Sequence, residues 1–327
     1  MRPDAFAFVM ATGIVSIAAA DHGFPYLSDG LAVVAVAALL ILIVIAVISW
    51  VGRPPDLSDL DVTIGLFTFV AACAVLDSRL TSISEVLWAL GVSAAVAWLT
   101  LIALTARNFV SLSWNELQGR ARGAWELCSV GTSGLAIVTV ALARDRGWHA
   151  VMLIAVALWV VAIALYVLMT TLILARALAA RLDPGGFEPD AWILMGGLAI
   201  VTLAGDHIHR AGIDGVREVT IAAWCLASMW ILPLLHFGVR HIQRPDARRF
   251  AGVWWAMVFP LGMYSSASHA MAIETGWPVL PMVSLIFFWV AFASWAVVAI
   301  AGMLRLRACC ARRLPSTRRR ASRADPG

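Results

Sequence analysis

Ten apolar runs follow one another along the chain, at about 3–20, 31–51, 62–77, 83–105, 123–143, 149–175, 189–205, 218–238, 251–273 and 279–304. Roughly 20 apolar residues carry a helix across a bilayer, so each run predicts one membrane span, and the short connections leave no room for a soluble domain. The runs alternate in kind. The even ones, such as LAVVAVAALLILIVIAVISW and VMLIAVALWVVAIALYVLMTTLILA, are long and apolar all round, which suits lipid contact. The odd ones are shorter and set small or polar residues at mid-depth: VMATGIVS, FVAACAV, SVGTSGLA, LMGGLAI and FPLGMYSS. Such sequences face other helices or a cavity.

The centres of the odd spans are evenly spaced. Marked by Gly13, Cys73, Gly134, Gly197 and Gly262, they lie 60, 61, 63 and 65 residues apart, the length of one helical hairpin. Each hairpin returns the chain to the same side, so the pattern predicts parallel repeats about an axis along the membrane normal. The fold class expected is therefore all-α integral membrane, with ten transmembrane helices in five quasi-repeated hairpins, odd helices inside lining a pore and even helices outside. Any one of these glycines could simply let two helices approach closely. Five clusters at matching depth favour a shared axial cavity. In the ninth span, Pro260 lacks an N–H and Gly262 tolerates unusual dihedrals, so the helix is expected to bend or break there, as it can where it lines a cavity. Ser265, Ser266 and Ser268 would turn their hydroxyls to that cavity or back onto their own helix. Phe259, just before the bend, is expected at the axis.

Composition and charge sharpen this picture. With 61% hydrophobic and 13% charged residues and a mean hydropathy of +0.87, the chain lies outside the range of soluble domains. All 24 basic residues other than histidine are arginines, and an even number of spans places nineteen of them on the side of both termini and five on the other. By the positive-inside rule, this is a multi-pass protein of the cell (inner or plasma) membrane with both termini in the cytoplasm. Arg2 and the run after it resemble a signal peptide, but Asp4 is wrong for a basic leader, so the run is read as a retained first span. Residues 1–305 are expected to form one ten-helix membrane domain, and the basic segment 306–327 reads as a disordered tail near anionic lipid headgroups. Cys73, Cys128 and Cys225 fall within spans and behave as small apolar residues, while Cys309 and Cys310 follow the last span as plain thiols. The tryptophans, among them Trp254, Trp255 and Trp277, read as interfacial anchors.

The odd spans all begin on the cytoplasmic side, where their positive dipole ends and Arg2, Arg122 and Arg249 would make an electropositive mouth that attracts anions. The same arginines also satisfy the positive-inside rule with no further role. No arginine lies midway along an odd span, an arrangement suited to weak binding and fast release. Glu126 could pair with Arg122 four residues earlier or bind a proton, and His269, with Glu274 nearby, is a second candidate proton site. GDHIHR offers Asp206, His207 and His209, but alternate positions on a helix point apart, so a polar cluster is favoured over a metal site. The chain carries no HExxH, GxSxG or phosphate-binding glycine loop, so no enzyme, metal, cofactor or nucleic-acid partner is called for.

VMATGIVS in the first span and WWAMVFPLGMY in the ninth, within ten spans over residues 3 to 305, resemble the tellurite-resistance and C4-dicarboxylate transporter family, to which the plant guard-cell slow anion channels are related. The resemblance implies a five-hairpin barrel, a homotrimer with one pore per subunit, and a pore-blocking phenylalanine that matches Phe259. It implies small inorganic or organic anions as cargo and membrane lipid as surroundings. The function expected is anion passage through a channel-like pathway occluded by Phe259 on the ninth helix. The alternative is a proton-coupled secondary transporter of C4-dicarboxylate such as malate, sulfite or tellurite-type oxyanions, using Glu126 or His269.

Overall fold

Each expected span is a helix in the computed structural model, which describes residues 3–81, 83–179, 188–243 and 254–313. Among the described residues, nine helices are long and apolar enough to cross a membrane: Pro3–Asp21, Pro25–Gly52, Leu60–Arg79, Ser84–Val110, Gly123–Arg146, His149–Ala179, Pro189–His209, Arg217–Arg240 and Leu280–Arg305. The ninth span in chain order, Trp255–Thr275, matches them in length. It is less apolar because serines, Pro260 and His269 take the place of aliphatic residues along it. The third span is made of two pieces, Leu60–Gly65 and Phe67–Arg79. The last helix continues to Arg313, so residues 306–313, expected in a disordered tail, are helical; residues 314–327 lie outside the described part.

Consecutive spans pair as antiparallel hairpins, and the odd spans pack each on the next, with the ninth closing onto the first. This is a ring of five inner helices. Burial separates the two sets: 67 to 89% of the first, third, fifth and seventh spans is inside the protein, against 22 to 33% of the even spans. The ninth span is buried without interruption from Val258 to Ser268.

Lipid offers no hydrophobic drive between helices, so the ring depends on close approach and hydrogen bonds. A β-carbon at Gly13 would lie 2.7 Å from Val75, one at Gly134 2.8 Å from Ala74, and one at Gly262 2.9 Å from Ile14. Each glycine is a contact point between neighbouring inner spans. The break expected in the ninth span is absent, since the helix runs through Pro260. The proline ring is received by Gly196 on the seventh span, where a β-carbon would come within 2.9 Å of it.

Hydrogen bonds tie the outer helices in. Trp98 donates to the Thr132 hydroxyl at 2.8 Å, Trp159 to the Val201 carbonyl at 2.9 Å, Trp224 to the Ser268 hydroxyl at 3.1 Å and Trp295 to the Thr12 hydroxyl at 3.0 Å. In every case an outer span reaches the inner span of the following hairpin, and the last reaches the first. For these four tryptophans, a staple inside the protein replaces the interfacial role expected of them. Within hairpins, Ser16 and Ser28 each donate to the other's carbonyl at 2.7 Å. Ser265 and Ser284 repeat the device at 2.8 and 2.7 Å.

Candidate functional site

Two cavities open at opposite ends of the ring, and all five inner spans line both. The near cavity, at the end that holds Pro3, has a volume of about 300 Å³. The far cavity has about 270 Å³.

The chain enters the near cavity through short 3₁₀ turns at Pro3–Phe6, Gly123–Glu126 and Pro189–Trp192. These turns bring acids inward. Asp4, Asp61, Glu188 and Asp190 line the cavity, with Arg122 as the one arginine among its described lining residues. Asp190 accepts a hydrogen bond at 3.0 Å from the Ala124 N–H at the start of the fifth span. Asp61 lies 3.1 Å from Arg120 and 3.4 Å from Arg122, and accepts from the Trp125 indole at 2.9 Å. The helix start expected to draw anions at the fifth span is thus capped by a carboxylate, and Arg122 is already paired. Arg2 and Arg249, the other arginines expected at this mouth, lie outside the described residues.

Charge reading of the sequence gives these carboxylates no place at the mouth, although a signal for them is there. Pro-Asp-Ala-aromatic occurs at 3–6 and again at 189–192, and both copies fold into the same turn with their aspartates at the cavity.

The far cavity is lined by Asp21 from the first span, Ser78 from the third, Gly134 from the fifth, Asp206, His207 and Arg210 from the seventh, and Ser266 and His269 from the ninth. Ser266 donates to Asp21 at 2.8 Å, and Arg210 holds Asp206 at 3.0 Å. The His269 ring meets that of His22 edge-on, with centroids 5.6 Å apart. His209 leaves the cavity for Glu274, at 3.6 Å, which Arg217 also binds.

Residues on one helix face recur every three or four positions. On the ninth span Ala256 lines the near cavity and Met263, Ser266, Ala270 and Ile273 the far one, so Phe259 falls on the stripe that joins them. It is fully buried. The same count places Ala71 of the third span, Gly131 of the fifth and Gly196 of the seventh between the cavities.

The remaining candidates lie off this axis. Gly197 faces the outer helix, with Tyr166 only 3.0 Å from where its β-carbon would be. Ser265 and Ser268 are taken up by Ser284 and Trp224, which leaves Ser266 as the hydroxyl of the three in the cavity. Glu126 is fully buried, accepts from Thr170 of the sixth span at 2.6 Å, and has no partner on its second carboxylate oxygen. It lines neither cavity. The i,i+4 pair with Arg122 does not form because Arg122 is extended (φ −146°, ψ 166°) and the fifth span begins as a 3₁₀ turn, so the two side chains are not stacked on one helix face.

Comparison with known proteins agrees with this architecture. The family profile described as SLAC1, voltage-dependent anion channel, matches residues 1–303. An uncharacterized transporter of Methanocaldococcus jannaschii is 24% identical over 322 residues, covering 91% of each chain. A second uncharacterized transporter of the same organism is 21% identical over 319 residues, covering 90% of this chain and 92% of its own. An uncharacterized membrane protein of Mycobacterium tuberculosis (strain H37Rv) is 29% identical over 157 residues, 45% of this chain and 80% of its own. A match along nearly the whole chain, joined to a closed ring of inner helices with a cavity at each end, makes this multi-pass membrane protein a member of the SLAC1 family of anion-transport proteins.

Proposed function

We propose that anions cross this protein along the axis of the inner ring, from one cavity to the other, through a channel-like pathway that Phe259 closes. The observation that carries this reading is the pair of cavities, each lined by all five inner spans, with the fully buried Phe259 on the stripe between them. Binding along such a path is weak, because Asp61 already occupies Arg122 at the near cavity and, among the described residues, no arginine lies at the level of Phe259. Weak sites release ions quickly, which conduction requires. The arginine distribution supports a cytoplasmic near cavity. The pair of cavities within one chain fits a homotrimer with a separate path in each subunit.

A second reading is supported by the far cavity: a proton-coupled carrier of a C4-dicarboxylate, sulfite or tellurite-type oxyanion, with His269 in the path. Glu126 fits that role less well, since it lines neither cavity. Flux of chloride, nitrate, sulfite and malate into proteoliposomes, driven by voltage alone or by a pH gradient alone, separates the two. Voltage-driven flux that does not saturate supports the channel. Saturable uptake that needs the pH gradient overturns it in favour of the carrier.

A further inference from the structure

We propose that the far cavity is an anion subsite governed by the protonation of Asp21 and its neighbouring imidazoles, so that a small monovalent anion is accommodated there together with a proton. This rests on the transport reading above and adds what controls its outer step.

The charges around the cavity are unevenly balanced. On the seventh span, Asp206 is held by Arg210, so that pair is close to neutral. On the third span, Ser78 bonds back to its own helix at the Ala74 carbonyl, and Arg79 turns away to Asp29, Ser16 and Ser28. The fifth span presents Gly134 and Ile137, and its Arg144 lies within electrostatic reach of His207. On the ninth, Glu274 is engaged by Arg217 and His209. Asp21 has Ser266 for a partner, with His22, His269 and His207 around it and, among the described residues, no arginine of its own. From the tenth span, Ser284 meets His22 at 2.9 Å.

With the imidazoles neutral, the ionised carboxylate opposes any anion in the cavity. A proton on Asp21 removes the repulsion, and a proton on His269 or His207 replaces it by attraction. Linkage makes the effect reciprocal, so an anion in the cavity must raise its proton affinity by the same factor. A volume of about 270 Å³ holds a small anion and several of its waters, each of which occupies roughly 30 Å³.

The test uses full-length protein in proteoliposomes with chloride as the probe, at about pH 5.5 and about pH 7.5 on both sides, which brackets the imidazole range. Wild-type flux is expected to rise about tenfold on acidification, the scale of one unit charge acting through a partly solvated cavity. Asp21→Asn keeps an acceptor for Ser266 and is expected to raise flux at neutral pH and flatten the pH ratio. His269→Gln is expected to lower flux at acid pH. Proton uptake by wild-type protein on addition of chloride, followed with a pH dye, requires no variant to fold. An unchanged pH ratio in Asp21→Asn, or no chloride-linked proton uptake, overturns this inference and leaves the axial path standing. If neither wild type nor variant moves any anion at either pH, the transport reading falls, and this inference with it.

Discussion

Replacing Phe259 with alanine should join the two cavities and release the flow of anions. Ala256 and Met263 mark the inner limits of the cavities on the ninth span, and helix rise puts about 10 Å between them. Within that layer the helical count puts Ala71, Gly131 and Gly196 on three of the other four spans, with Phe67 packed against Gly131 and Pro260 against Gly196, so Phe259 is the bulky side chain that the ninth span itself places on the stripe. Moving a fully buried aromatic side chain out of its packing costs about 3 to 5 kcal/mol, judged from truncations of such residues. At about 1.4 kcal/mol per tenfold, an open arrangement that requires this movement is populated roughly once in a hundred to once in several thousand. Chloride flux through Phe259→Ala is therefore expected to exceed wild type by at least about a hundredfold, the lower end of that range. Proteoliposome efflux, or current across a planar bilayer, reads the effect directly. The same truncation should lower thermal stability in detergent by about 3 kcal/mol or more, which serves as a check that the ring was packed. A variant that elutes as one folded species, melts earlier and conducts like wild type would refute the closure at Phe259.

Three further outcomes follow from the packing and the charges. Gly123→Ala should cost more than the usual 1 to 3 kcal/mol of overpacking, because its β-carbon would lie 2.3 Å from the Asp190 carbonyl oxygen, and backbone cannot step aside; Gly30→Ala, with nothing within 4 Å, is the neutral control in the same melting assay. Burial, and then the nearby His269, lower the pKa of His22 from 6.5, so below that value the unfolded chain takes up the proton first. Stability should accordingly fall as the pH drops through the imidazole range, and melts of His22→Gln across pH should show a shallower decline. Trp159→Phe should lose about 1 kcal/mol with its bond to the Val201 carbonyl, measured by chemical denaturation, and leave anion flux unchanged because the indole lies outside the axis.

Hydropathy marks nine of the spans outright, the less apolar run around 251–273 completes the hairpin pattern, and the polar content of the odd ones marks them as the inner set. Azimuth was harder to read. Ser265, Ser266 and Ser268 look interchangeable in sequence, yet one pairs with the tenth span, one lines the far cavity and one meets the eighth span. Only the packing of a ring decides which way each points. Arg122 was read against Glu126, four residues away, on the assumption of a regular helix. Its partner is Asp61, brought close by a neighbouring hairpin, while the 3₁₀ turn spoils the local pair. The acids of the near cavity are obscured for a similar reason, since Asp4, Asp61 and Asp190 are far apart in sequence and converge only when the spans are set side by side.

The tryptophan staples bear on how the molecule is made. Each reaches forward to the hairpin that follows, so a hairpin newly released into the bilayer holds an indole N–H with nothing yet to receive it. The bond from Trp295 to Thr12 links the last helix to the first, across most of the length of the chain. Contacts so distant in sequence form late. Until the last hairpin arrives, the first inner helix lacks the ninth span beside it and the indole of Trp295 behind it, and the ring has an open seam. Biogenesis of this protein thus proceeds as a sequence of provisional partners that ends in a single closing step, and a truncation that removes the last hairpin would leave that seam facing lipid.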